Sequence, residues 1–217
     1  GLERACEAVV DAEALGWPPM TAAARHLEGV LLEKTGDYAE AEAASLSAYM
    51  AAAKVRAWDV AASAAIQLAY TVGYKQARHA EGKVWAGHAE VAVSFAGDPL
   101  GLREAARLNN LALVHSAAGA YAEAKALYDR VLTIREAALG PDHPVVFDSL
   151  NNLAIVYRAT GAYAEAKALN ERTLAIREKT LGPDHPDVAV SLNNLASVHH
   201  NSGAYAEARA LFERALA

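Results

Sequence analysis

Eight histidines and one cysteine are the side chains best suited to metal or acid–base chemistry here, so their spacing is the first test. His143 and His185 recur 42 residues apart, each inside Gly-Pro-Asp-His-Pro. That spacing puts one ring on each copy of a repeating unit and does not converge two on one ion. A ring bonded to nearby backbone at its turn is the simpler reading. His199 and His200 are adjacent, and on a helix their side chains diverge by about 100°. A zinc site needs further ligands at helical or turn spacing, and none stands there. His79 and His88 are too far apart for an i, i+4 pair. Cys6 reads as a small, buried or half-buried side chain on an alanine-rich helix, and Glu40 and Glu42 read as a solvated face. No G-x-x-x-x-G-K-[ST], G-x-S-x-G or H-E-x-x-H occurs, and no G-x-G-x-x-G follows a strand. The expectation is no catalytic residue, no metal site and no cofactor within these residues.

The asparagines offer a different chemistry. With Leu150 at zero on a helical wheel, Asn151, Ile155 and Arg158 fall at about 100°, 140° and 80°. They form a second face beside the apolar stripe of Leu150, Leu153, Ala154 and Tyr157. The matching sets are Asn109, Leu113, Ser116 and Asn193, Ser197, His200. A degenerate set is Gln67, Thr71 and Tyr74, with Lys75 next to it, bulky enough to cap one end of a groove. Asparagine carries a donor and an acceptor, so it can grip a peptide backbone whatever its sequence. In the three good copies the Asn is constant and its two companions vary, as expected of a backbone clamp with changing pockets. The competing role is to satisfy backbone groups between stacked repeats. The clamp is preferred for Asn151, and the inter-repeat role for Asn152, near 200° on the same wheel.

These residues sit on a repeating unit. Leu108, Leu150 and Leu192 head three copies with a period of 42 residues, and a fixed period in this range means a solenoid. Within one copy, Gly161 ends a first helix (A). A second (B) begins near Tyr163 and carries Ala166, Leu169, Thr173 and Ile176 on one stripe. Ala154 and Ala166 are small where two helices approach, and Tyr163 is expected to pack across the pair. Gly182 and Pro183 end helix B. Asp184 is expected to cap the next helix A, with Pro186 in its first turn. One pair cannot bury its own apolar faces, so neighbouring pairs must stack.

The chain divides accordingly into an orphan helix at 1–16, repeat 1 at 20–55, a degenerate repeat 2 at 57–96, repeat 3 at 99–140, repeat 4 at 141–182 and a cut repeat 5 at 183–217. That is eleven helices in one array, with Trp17-Pro18-Pro19 as a break. Gly73 and Gly101 fall inside predicted helices. In repeat 2, His79 replaces the Tyr, Gly82 the Ala and Trp85 the Leu, and the smaller Gly82 is expected to make room for Trp85.

The run L-x-x-L-A-x-x-[YH]-x-x-x-G-x-Y-x-E-A resembles the tetratricopeptide repeat. The LGPDHPDVA-x-SLNNLA joint and the longer period are similar to its kinesin-light-chain variety, closely so from Arg107 to Ala217. The alanine-rich form also resembles arrays C-terminal to bacterial serine/threonine kinase domains. The resemblance implies an all-α fold, a right-handed α-solenoid of antiparallel helix pairs. It also implies that the asparagine face of each helix A lines a concave groove that holds an extended peptide. Chaperone-type carboxylate clamps need Lys and Arg at those positions. Here Asn, Ser and Ile stand there, and Arg158 is the clearest cation.

Bulk composition agrees with a binding module. Of 217 residues, 53% are hydrophobic, and the net charge is −6. An acidic chain without a Lys/Arg block is a poor nucleic-acid binder. No apolar run approaches the roughly 20 residues of a membrane span. One cysteine forms no internal disulfide and fits a reducing cytoplasm. The chain starts without Met or a signal-peptide pattern and stops partway through a repeat, so it reads as a piece of a longer protein. The sequence thus points to a non-catalytic scaffold for a protein or peptide, in a larger bacterial signalling protein. Self-assembly through exposed repeat ends is the alternative, as is an accessory region of a kinase whose catalysis lies elsewhere.

Overall fold

The computed structural model describes residues 1–216, and among them there is no strand. Eleven α-helices follow one another: α1 (Leu2–Ala14), α2 (Pro18–Thr35), α3 (Tyr38–Lys54), α4 (Trp58–Tyr70), α5 (His79–Ala96), α6 (Leu102–Ala117), α7 (Tyr121–Leu139), α8 (Pro144–Ala159), α9 (Tyr163–Leu181), α10 (Pro186–Asn201) and α11 (Tyr205–Leu216). A π-helical segment, Thr71–Lys75, extends α4. The all-α class and the helix count follow the period of the sequence. The prolines expected to break the chain instead start a helix: Pro18 sits in the first turn of α2, where its missing N–H costs nothing.

The chain forms two compact units, Gly1–Leu127 and the residues from Tyr128 onward. In the first, α2 packs on α3 and α4 on α5. Its core is built from very small side chains, Ala22, Ala52, Ala61, Ala62 and Ala92, with Val93. Small residues at a contact bring helix axes close, and Tyr49, Trp58 and Ile66 close the edges of this cluster. Trp85 does not fill space at Gly82, as the sequence suggested. Its ring stands edge-on to Tyr49 at 5.4 Å, and the space beside Gly82 is taken by the backbone of Gly73.

In the second unit α8 pairs with α9 and α10 with α11. Leu174, Val188, Leu192 and Leu195 form one cluster. Ala154, Ala166 and Val198 form another, and Tyr163 packs against it from the start of α9. The joints between repeats are built by two devices. Gly182 takes φ 87° after α9, a conformation open to glycine. His185, not Asp184, then caps α10: its Nδ1 accepts from the backbone N–H of Asp187 at 3.1 Å, with Pro186 in the first turn. His143 does the same for α8 through the N–H of Val145 at 3.2 Å. The second device is an arginine. Arg135 donates to Ser149 Oγ at 2.7 Å and to the Val145 carbonyl at 3.3 Å. One repeat later, Arg177 donates to Ser191 Oγ at 2.9 Å and to the Asp187 carbonyl at 3.0 Å.

Candidate functional site

Asn151, Ile155 and Arg158 project from α8 into a hollow of about 90 Å³, and Ser197 of α10 faces them. Four of the residues singled out by the helical wheel therefore share one surface. Ala154, Asn170, Asn194 and Val198 complete its lining. Asn194 donates through Nδ2 to Asn151 Oδ1 at 2.7 Å, which fixes the Asn151 amide at the rim.

The hollow has a cause in the sequence. Asn170 lies seven residues after the tyrosine that opens α9. At that register α7 carries Tyr128 and α11 carries Phe212, whereas α3 and α5 carry Ser45 and Ala86. Tyr128 is fully buried. An amide fills less space than the rings of α7 and α11, and Asn170 itself is 5% exposed. Asn170 does not stand out on the wheel of helix A, because it belongs to helix B, whose stripe reads as core. Asn194 does not stand out because its register is assigned to the joint. Asn194 does both jobs, bridging to the preceding helix A and lining the hollow. Asn110 also reaches back one repeat, donating to the Ile66 carbonyl at 3.0 Å.

The remaining candidates are placed differently. Asn193 and His200 are exposed on α10; the Asn193 carbonyl accepts from Ser197 Oγ at 2.8 Å, and the His200 ring stands edge-on to Tyr205 at 5.3 Å. In the first unit, Asn109, Leu113 and Ser116 are half-buried on α6, and Asn109 donates to the Asn110 side chain at 3.3 Å. Gln67 is half-buried on α4. Thr71 requires a correction: it is fully buried, with Gln67 Nε2 donating to its hydroxyl at 3.3 Å, so it is no part of an open groove wall. The π-helical segment turns it inward and leaves Tyr74 exposed.

Cys6, expected to be at least half-buried, is exposed on α1. Lys75, beside the α4 set, is half-buried. Its ammonium lies 5.6, 5.3 and 6.0 Å from the ring centres of Tyr38, Tyr70 and Tyr74, and 3.5 Å from Glu33. Tyrosine faces attract a cation. A hydrogen bond with Tyr70 raises the Lys75 pKa, and burial raises that of the Tyr70 phenol. Burial pushes His26 and His115 below the ordinary imidazole range, and the charge of Lys83 adds to the effect at His115. No cluster of three or more His, Cys, Asp or Glu able to hold a metal ion occurs among the described residues. No helix among them is long and apolar enough to cross a membrane.

Comparison with known proteins gives the family. No curated protein sequence matches the chain. The solved structure of BtubC (BKLC) from P. vanneervenii superposes with a TM-score of 0.83 at 23% identity, over 99% of this chain and 87% of that one. A putative kinesin light chain from Podosopora anserina, with nearly identical TPR-like repeats, gives 0.77 at 24% identity, over 92% and 94%. The Rap protein complexed with Competence and Sporulation Factor gives 0.72 at 13% identity, over 99% and 68%. The sequence profile of the tetratricopeptide repeat matches residues 104–179 and again 146–217, together more than half of the chain. Helix pairs, period and profile agree: the chain belongs to the tetratricopeptide repeat family, whose architecture is that of a protein-interaction scaffold.

Proposed function

We propose that this chain holds an extended peptide segment of another protein against its first helices, with the α8–α10 hollow as an anchoring pocket. The observation that carries this reading is the Asn170 substitution. Where Tyr128 fills the same register with a buried ring, Asn170 leaves a polar hollow beside Asn151 and Arg158. Asn151 supplies a donor and an acceptor for a peptide backbone. Arg158 supplies a cation for a carboxylate or a carbonyl. Asn109, Leu113, Ser116, Gln67, Tyr74, Asn193 and His200 are proposed as further contacts along the same kind of face. Nothing in this reading needs a cofactor. The Rap protein, which shares the fold, was solved with Competence and Sporulation Factor bound. That is in keeping with a ligand-holding role for this fold, and we place these repeats, as a proposal, in a regulatory or recruiting region of a larger signalling protein.

A random peptide library displayed on phage and selected against the chain tests the pocket. Selected peptides are expected to lose binding to Asn170→Phe, which restores the ring found at this register. They are also expected to lose binding to Asn151→Ala, while thermal melts show both variants folded. Peptides that bind Asn170→Phe as tightly as wild type would overturn the assignment.

A further inference from the structure

The outward face of α5 carries more apolar surface than its counterpart in the fourth repeat. Aligned on the residue that opens each helix, Val84, Gly87, Val91 and Phe95 of α5 stand where α9 has Ala168, Glu171, Ala175 and Lys179. Val84, Val91 and Phe95 fall within about 40° of one another on the helix. They are 61%, 56% and 62% exposed. Phe95 also stacks on Trp58 of α4, with ring centres 4.9 Å apart; exposed apolar residues gathered on one stripe are the kind of surface that a partner covers.

Gly87 lies about 40° to one side of Val91, between the stripe and the flank that carries Lys83 and Glu90. A Cβ there would meet nothing within 4 Å, so the fold of this chain does not require a glycine. A glycine also weakens a helix interior relative to alanine. What it leaves is bare backbone at the surface, over which a second helix can pack more closely.

The flanking charges select that second helix. Lys83 and Glu90 are both exposed, one on each side of Gly87 in sequence. They share one flank of the stripe, about 20° apart. Two copies of α5 crossing antiparallel about Gly87 bring Lys83 of each beside Glu90 of the other. The same crossing sets Val84 of one against Val91 of the other. In a parallel two-fold pair that flank of each copy lies on opposite sides of the contact, so Lys83 and Glu90 gain no partner from each other there. Within the chain Glu90 stands 3.5 Å from Arg107. Arg107 is itself held by both carboxylate oxygens of Glu104, each at 2.7 Å, so Glu90 retains charge for a partner.

We propose that α5 is an isologous contact through which two copies of this chain pair antiparallel. The contact uses a second-helix face and is independent of the peptide pocket proposed above.

Sedimentation velocity over a concentration series reads the pairing directly. The wild-type chain is expected to pass from monomer to dimer. Lys83→Glu and Glu90→Lys each oppose like charges and are expected to weaken the dimer about tenfold or more. The combined Lys83→Glu/Glu90→Lys variant is expected to regain it. Glu90→Lys lowers the net negative charge, so general repulsion alone would strengthen association; weakening therefore assigns the effect to the pair. Phe95→Lys, which installs the α9 residue, is expected to abolish the dimer while its melt shows a folded chain. A wild-type chain that stays monomeric at its highest soluble concentration would overturn the proposal and give the stripe to another protein. A dimer indifferent to both single charge reversals would also overturn it.

Discussion

Gly82 of α5 approaches Gly73 of the π-helical segment so closely that a methyl group on Gly82 would stand 2.3 Å from the Gly73 Cα. The obstacle is backbone, which cannot swing aside as a side-chain tip can. Gly82→Ala is therefore expected to destabilise the first unit by about 1–3 kcal/mol or more. Gly87→Ala, five residues along the same helix and facing open space, is expected to stabilise the monomer by about 1 kcal/mol. Urea unfolding of the two variants side by side, at concentrations where the chain is monomeric, checks the contrast. Equal effects would show that the close approach is not the cause.

The Asn194–Asn151 hydrogen bond is expected to behave as a unit. Each single alanine variant should lose about 0.5–1.5 kcal/mol. The double variant should lose less than the sum, because the second deletion removes a bond already broken. A double-mutant cycle on unfolding free energies reads the coupling, and strict additivity would mean that the two amides act separately.

Arg177 joins α9 to α10 through Ser191 and the Asp187 carbonyl, and its guanidinium carbon lies 5.4 Å from the Phe147 ring centre. Arg177→Ala removes both hydrogen bonds and that contact. The expected loss is about 1.5–3 kcal/mol, read as a lower unfolding midpoint. Arg177→Lys should recover little of it, because a single ammonium does not reproduce a planar fork.

Acidification is expected to weaken the fold through His26 and His115. Both are held below the ordinary value of 6.5 by burial, so the unfolded chain binds their protons more readily than the folded chain does. Their contribution is complete above 6.5 and is lost as the pH falls through the lowered values. Melting temperatures measured from pH 7.5 down to about 5.5 should fall, and replacing both residues with Gln should flatten the slope. A slope unchanged in that double variant would place the titration elsewhere.

Much of this architecture was legible because the sequence repeats. Leu108, Leu150 and Leu192 announce the period, and Tyr163 with Gly161 locates the turn between two helices. The wheel also found Asn151, Ile155, Arg158 and Ser197, which do share a surface. What it could not show depends on neighbours in space. Asn170 becomes informative only against Tyr128 at the same register. Thr71 was placed on an open face because regular α-helical spacing was carried through Gly73, where the chain widens into a π-helical turn. Asp184 looked like a cap by residue type, yet the ring of His185 reaches the free N–H first. Arg135 and Arg177 recur at the same 42-residue spacing as Ser149 and Ser191, which they hold.

The hydrogen bonds that join equivalent helices of neighbouring repeats cover a narrow range of chain: Asn110 to Ile66 spans 44 residues, Asn194 to Asn151 spans 43, and Arg172 to Glu136 spans 36. Each repeat is thus wired to an adjoining one and not to a distant centre. Loop-closure entropy for such contacts is set by the period and does not grow as repeats are added. Gene duplication can therefore insert or delete a whole repeat and leave the remaining wiring in register. The folding time of such a chain should track the repeat rather than the total length.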